Sequence, residues 1–197
     1  MTSALLIGPL GMPAAQADSC PNVDVTFARG TGQTSGLGQV GQVFVDSLRS
    51  QVGGRSMDVY PVNYPATMAF ASSAQAGADD VVAHVQDMIG RCPNSKLVLG
   101  GFSQGAGVID LATPALPPQA NDHVAAIAVL GNPTSPLAVN LSGAQFAPIG
   151  PPYSVKTIDL CNGADPVCSG GGDVGAHRAY VESGMVAQAA SFVAGRL

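Results

Sequence analysis

Charge is what this chain has least of. Only 11% of its 197 residues are Asp, Glu, Lys or Arg, against roughly 25% in an ordinary soluble domain. Lys and Arg number 8 against 13 Asp and Glu, a formal net charge of −5. So few cations make no footprint for a phosphate backbone, and no nucleic-acid partner is expected. No run of 18 apolar residues occurs, so no stable membrane insertion is expected either. Cys-x-x-Cys, Walker A and His-Glu-x-x-His patterns are all missing. Zinc knuckles, phosphate cradles and zinc-dependent hydrolysis therefore lack support, and no metal or cofactor is expected. Disorder is excluded from the other side. Hydrophobic residues make up 46% of the chain, enough to drive collapse.

What is present suits one compact domain over residues 18–197, and a monomer. Gly 25 and Pro 15 mark a loop-rich chain. Residues 1–17 contain no charge and end in Ala15-Gln16-Ala17, the small-x-small form of a signal-peptidase site. The basic start of a signal peptide is missing. The segment therefore reads as the tail of a longer leader or as a disordered extension. Four cysteines, Cys20, Cys92, Cys161 and Cys168, suit an exported protein with two disulfides, for which three pairings are possible.

Apolar patterning alternates between strand and helix. Val23–Ala28, Met57–Tyr60, Lys96–Phe102, Val124–Leu130 and Ser154–Leu160 read as strands. The spacing predicts helices over Gln39–Val52, Ser72–Gly90, Gln104–Ala112 and Gly175–Gly195. Asn132–Tyr153 reads as long, Pro-rich and irregular. This order implies an α/β fold with a parallel sheet covered by helices on both faces. Chemistry in such sheets sits at the carboxyl ends of the strands. That gathers the loops after Ala28, Phe102 and Leu160. A Gly-x-Gly-x-x-Gly match at Gly36, Gly38 and Gly41 lies eight residues past the strand end, too far for a dinucleotide turn.

Gly101-Phe102-Ser103-Gln104-Gly105 has the form Gly-x-Ser-x-Gly between a strand and a helix, where a nucleophilic serine is lifted above the sheet. Alone the pattern is weak, and Ser103 would equally serve as a helix N-cap. A serine nucleophile needs a base, and the base needs an orienting carboxylate. His123 sits at the start of a strand, the wrong end. His84 lies earlier, inside an amphipathic helix, and reads as structural. His177 follows a glycine-rich stretch and is the expected base. Asp165, in Cys161-Asn-Gly-Ala-Asp-Pro-Val-Cys168, is the expected acid, with Asp173 as runner-up. A bond between those two cysteines would hold Asp165 in place. Oxyanion donors are expected from the Gln104 N–H and from Thr31 in Arg29-Gly-Thr-Gly32.

Together these motifs resemble the cutinase family of serine esterases, and most resemble its secreted mycobacterial members. The likeness covers nearly all of Cys20 to Leu197 and rests on ARGT, GFSQG, CNGADPVC and GAHRAY. Phe102 stands where tyrosine is common. The resemblance implies a small α/β-hydrolase with little or no lid. It implies Ser103 as nucleophile, Asp165 as acid, His177 as base, Thr31 and Gln104 at the oxyanion hole, and disulfides Cys20–Cys92 and Cys161–Cys168. The implied substrates are short- to medium-chain lipid esters or cutin-like polyester. Acylated carbohydrate of the acetylxylan type is the main alternative, and a non-catalytic surface protein the other. Acyl-chain walls are expected from Tyr64–Phe70, Ala147–Tyr153 and around Val167 and Val174.

Overall fold

The computed structural model describes residues 20–143 and 146–197; the signal-like segment 1–17 lies outside the described residues. Strands β1 (Val23–Ala28), β2 (Met57–Pro61), β3 (Lys96–Phe102), β4 (Val124–Leu130) and β5 (Thr157–Leu160) form one sheet. All neighbours are parallel, in the order β2-β1-β3-β4-β5. β1 is buried along its whole length, and β3 and β4 almost so. Their sequences, VDVTFA, KLVLGGF and VAAIAVL, accordingly lack the alternation of a half-exposed strand.

Helices α1 (Gly38–Gln51), α2 (Phe70–Arg91), α3 (Gln104–Ala112), α4 (Ala120–His123), α5 (Pro136–Ser142), α6 (Val174–Arg178) and α7 (Met185–Ala194) complete the chain. Successive strand residues point to opposite faces, and two cores result. Val23, Val25, Phe27, Val98, Ala128 and Leu130 pack under α1 and α7. Leu97, Leu99, Ile127 and Val129 pack under α2 and α3. The expected α/β architecture with helices on both faces is therefore the observed one. The glycine-rich match opens α1, where Gly41 lets the helix close down on the Phe27 ring.

Two expectations about elements need correction. The segment from Gly175 to Gly195 is two helices, α6 and α7, because Gly184 turns left-handed at φ 78° between them. The break lets α6 present His177 to one loop cluster while Val186, Ala189, Ala190 and Val193 of α7 face the sheet. The stretch Asn132–Tyr153 is not irregular throughout, since it contains α5. Ser135 caps α5 by accepting the Ala138 N–H at 3.1 Å, Pro136 occupies its first turn, and Gly143 ends it at φ 61°. These are ordinary helix start and stop signals.

At the amino end of the sheet, His84 Nε2 lies 2.9 Å from Asp24 Oδ1, and its ring stacks on Tyr60 at 3.7 Å between centroids. This is the structural role expected of His84. His123 ends α4 immediately before β4, away from the carboxyl edge.

Candidate active site

The site begins with backbone strain. Ser103 sits between β3 and α3 at φ 56°, ψ −123°, a region L-residues with a Cβ rarely occupy. Such a turn is possible only if its flanks come very close. A Cβ on Gly101 would overlap the Gly105 carbonyl, and one on Gly105 would overlap the Ala28 carbonyl. Both glycines of the Gly-x-Ser-x-Gly match are thus required by packing.

His177, on α6, places Nε2 2.9 Å from Ser103 Oγ and Nδ1 2.7 Å from Asp165 Oδ2. Asp165 has no exposed surface. Its Oδ1 accepts the Val167 N–H at 2.8 Å, and its Oδ2 also accepts the Tyr180 hydroxyl at 2.8 Å. Tyr180 in turn accepts the Asn162 N–H at 3.1 Å. Burial, more than any other cause, pushes the Tyr180 hydroxyl well above its usual range, so it stays a donor. Tyr180 is the site residue to which sequence reasoning assigned no role. Its only signal is its place three residues after His177, in the turn that follows α6.

The other acid candidates lie elsewhere. Asp173 caps α6 by accepting the Gly175 N–H at 2.7 Å and is exposed. The Cys161–Cys168 disulfide closes the loop that carries Asp165, and Cys20–Cys92 ties the segment before β1 to the end of α2. Phe102 stacks on His177 at 5.1 Å and meets Tyr180 edge-on at 5.4 Å, contacts that a phenyl ring makes without a hydroxyl.

The two residues expected as oxyanion donors, Gln104 and Thr31, share a cavity with Ser103. The Gln104 N–H is one of the free amides at the start of α3, where Ser103 O already receives the Ala106 N–H. The Gln104 side chain is fixed, donating to Thr67 O at 2.8 Å and accepting from Ser73 Oγ at 2.9 Å. Thr31 borders Ser103 from the loop after β1. Arg29 holds that loop. Its buried guanidinium donates to Tyr64 O at 2.8 Å and Gln33 O at 3.1 Å, while Tyr64 hydroxyl donates back to Arg29 O.

Two cavities meet at Ser103. One, of about 140 Å³, is lined chiefly by Phe70, Pro133, Ala138, Leu141, Phe146 and Val167. The other, of about 390 Å³, contains Gln33, Gln39, Val40, Val174, His177 and Arg178. Of the expected acyl walls, Phe70 and Val167 line the apolar cavity. Val174 faces the polar cleft, and Ala147 to Tyr153 border a separate cavity beside Asp110. The wall that sequence reasoning lacked is α5, fixed in place where the Ser135 hydroxyl donates to Pro166 O at 2.6 Å.

Beneath the site, Asn132 Nδ2 bridges Asp110 Oδ1 at 3.3 Å and Asp159 Oδ2 at 3.2 Å. Asp110 Oδ2 and Asn132 Oδ1 are both buried without a partner among the described residues. A proton on Asp110 would let one acceptor donate to the other. Burial, against the opposing Asn132 hydrogen bond and with help from Asp159, pushes the Asp110 carboxyl up to about 7. The folded state thus holds a proton that the unfolded chain releases near pH 4. The associated stability is full below about pH 4 and is lost as pH rises toward 7. Asp110→Asn cannot ionise. We expect its Tm to exceed the wild type's by roughly 5 °C at pH 8 and the gap to close by pH 4, as read by thermal unfolding across pH. An equal offset at all pH values would contradict this assignment.

A strained serine at a strand-to-helix turn above a parallel sheet defines the α/β-hydrolase class. The Cutinase family profile matches residues 19–197. Carboxylesterase Culp1 of Mycobacterium tuberculosis is 56% identical over 197 residues, covering all of this chain and 91% of that protein. Among solved structures, a Trichoderma reesei cutinase bound to a phosphonate inhibitor matches with TM-score 0.73 and 32% identity, over 91% of this chain and 78% of that one. The catalytic core of an acetyl xylan esterase from the same fungus matches with TM-score 0.76 and 25% identity, over 91% and 100%. The chain belongs to the cutinase family, and it is a carboxylic ester hydrolase.

Proposed function

We propose that this protein is a secreted serine esterase that cleaves short- to medium-chain lipid esters through a Ser103–His177–Asp165 triad. The carrying observation is the unbroken line of contacts, 2.9 Å from Ser103 Oγ to His177 Nε2 and 2.7 Å from Nδ1 to Asp165 Oδ2. In this reading Nε2 takes the Ser103 proton as Oγ attacks the ester carbonyl. The resulting oxyanion is held by the Gln104 N–H and Thr31, each donor worth roughly 3–4 kcal/mol of barrier. His177 then gives the proton to the leaving alcohol. The acyl-enzyme is cleared by a water that His177 activates in the same way. Asp165 keeps the Nδ1–H tautomer throughout. Export, by way of the segment 1–17, accords with two disulfides in a chain of this size.

The partition of the two cavities supports the substrate class. The proton for the leaving alcohol comes from His177, which lines the polar cleft and not the apolar cavity. The alcohol therefore departs through the cleft and the acyl chain enters the cavity. A dry cavity of roughly 150 Å³ accommodates a six-carbon ring, so about 140 Å³ suits an acyl segment of about six carbons. Each methylene buried there contributes about 0.8 kcal/mol, near fourfold in rate. On p-nitrophenyl esters, kcat/KM is expected to climb from acetyl to about hexanoyl and then level off through palmitoyl. The likeness to an acetyl xylan esterase favours a second reading, sugar acetates. A steep fall beyond acetyl, with faster turnover on acetylated xylan, would establish that reading and overturn the first.

A further inference from the structure

The apolar cavity that opens at Ser103 runs along α3 and meets one aromatic ring. Ser103 and Gln104 border it at the start of that helix, and Phe146 lines it further in. Phe146 is only 5% exposed. Its ring is seated on α3 at Gly107, one helical turn past Gln104, where a Cβ would come within 2.9 to 3.0 Å of three ring carbons. With no side chain at 107 the ring settles directly on the helix. A ring so enclosed has no free space to swing into, because protein interiors are packed like crystals. Phe146 therefore ends the cavity as a fixed wall.

Beyond that ring the same two walls continue. Asp110 stands one further turn along α3, a step of about 4.5 Å from Gly107, and Ala147 is the next residue of the chain after Phe146. Both border the separate cavity of about 250 Å³, whose far side is closed by Pro148 and Tyr153. Little in it opposes hydrocarbon. Its one carboxyl belongs to Asp110, whose Oδ1 accepts from Asn132 and whose Oδ2 is buried. We propose that Phe146 sets the length of acyl chain this enzyme accepts, and that the cavity beside Asp110 is the continuation of the acyl path, a site for the distal part of a long fatty acyl chain from which the ring bars it. The proposal rests on the esterase reading and names the acyl limit of that same site. If about 140 Å³ suits about six carbons, about 250 Å³ suits roughly ten more.

The test measures kcat/KM on p-nitrophenyl hexanoate and decanoate and takes the decanoate-to-hexanoate ratio within each variant, so a general loss of activity cancels. In Phe146→Ala the two cavities join, and the ratio is expected to rise roughly tenfold over wild type as four further methylenes become partly buried. Phe146→Leu keeps a buried apolar side chain, so it tests the same point should the alanine variant fold poorly, and it should raise the ratio by less. Adding Ala147→Trp to Phe146→Ala fills the second cavity from its exposed rim, and the ratio should fall back to the wild-type value. Ratios unchanged in both Phe146→Ala and Phe146→Leu would overturn the proposal. So would a rise that the added tryptophan leaves intact, because the chain would then run elsewhere. Failure of the wild type on p-nitrophenyl hexanoate would instead overturn the esterase reading, so the two failures are separable.

Discussion

Ser103→Ala is expected to lower kcat on p-nitrophenyl hexanoate by roughly 10⁵- to 10⁶-fold, the loss typical of removing a triad nucleophile. In the proposed reaction the Oγ both attacks and gives its proton to His177, which lies 2.9 Å away, and no other residue of the turn Gly101–Gly105 carries a hydroxyl. The fold should survive. Alanine keeps a Cβ, so the cost of φ 56° is unchanged, and Gly101 and Gly105 still permit the close approach of β3 and α3. The Tm should stay within a few degrees of wild type. Ser103→Gly offers a sharper comparison. Removing the Cβ relieves backbone strain of about 1–3 kcal/mol, offset in part by the greater freedom of glycine in the unfolded chain. The glycine variant should be as inactive as the alanine variant and at least as stable. Residual activity near wild type in either would remove Ser103 from the mechanism. A much lower Tm in both would show that the hydroxyl holds the fold instead.

The layered sheet was legible because fully buried parallel strands leave apolar runs such as VAAIAVL, and because helices between them keep a 3.6-residue period. The elbow was legible for a steric reason. Only glycine fits at 101 and 105, so the requirement is written in residue identity. Ser103, Asp165 and His177 could be proposed by weighing other histidines and carboxylates against them and by the resemblance of GFSQG, CNGADPVC and GAHRAY to the cutinase family. What was hidden depends on distance in space. Asp173 and Asp165 look alike in sequence, but one caps α6 in solvent and the other is buried against Val167, Tyr180 and His177. Tyr180 has no local signature, since its role comes from a loop fifteen residues earlier. α5 was hidden by the Pro-rich stretch around it, although Ser135, Pro136 and Gly143 spell its limits. Its loss from the sequence reading displaced the expected acyl wall toward Ala147–Tyr153.

Asp165→Asn is expected to lower kcat by about 10⁴-fold while barely moving KM, the size of effect seen when a triad base is forced into the wrong tautomer. Asp165 accepts from three donors, the Val167 N–H on Oδ1 and both the His177 Nδ1–H and the Tyr180 hydroxyl on Oδ2. An asparagine has only one acceptor oxygen. If its amide nitrogen takes the Oδ1 place, it faces the Val167 N–H, donor against donor. If it takes the Oδ2 place, it donates to His177 Nδ1, and the ring proton moves to Nε2. The nitrogen facing Ser103 then carries hydrogen and cannot accept the hydroxyl proton, although every heavy atom stays in position. Because Tyr180 needs an acceptor in a buried setting, a stability loss of about 1–3 kcal/mol should accompany the change. The Ser103→Ala, Asp165→Asn double variant separates coupling from independent damage. Residues that act as a unit are strongly non-additive, so the double variant should be no slower than Ser103→Ala alone. Multiplying losses, or an Asp165→Asn enzyme within tenfold of wild type, would mean that Asp165 braces the loop without setting the proton on His177.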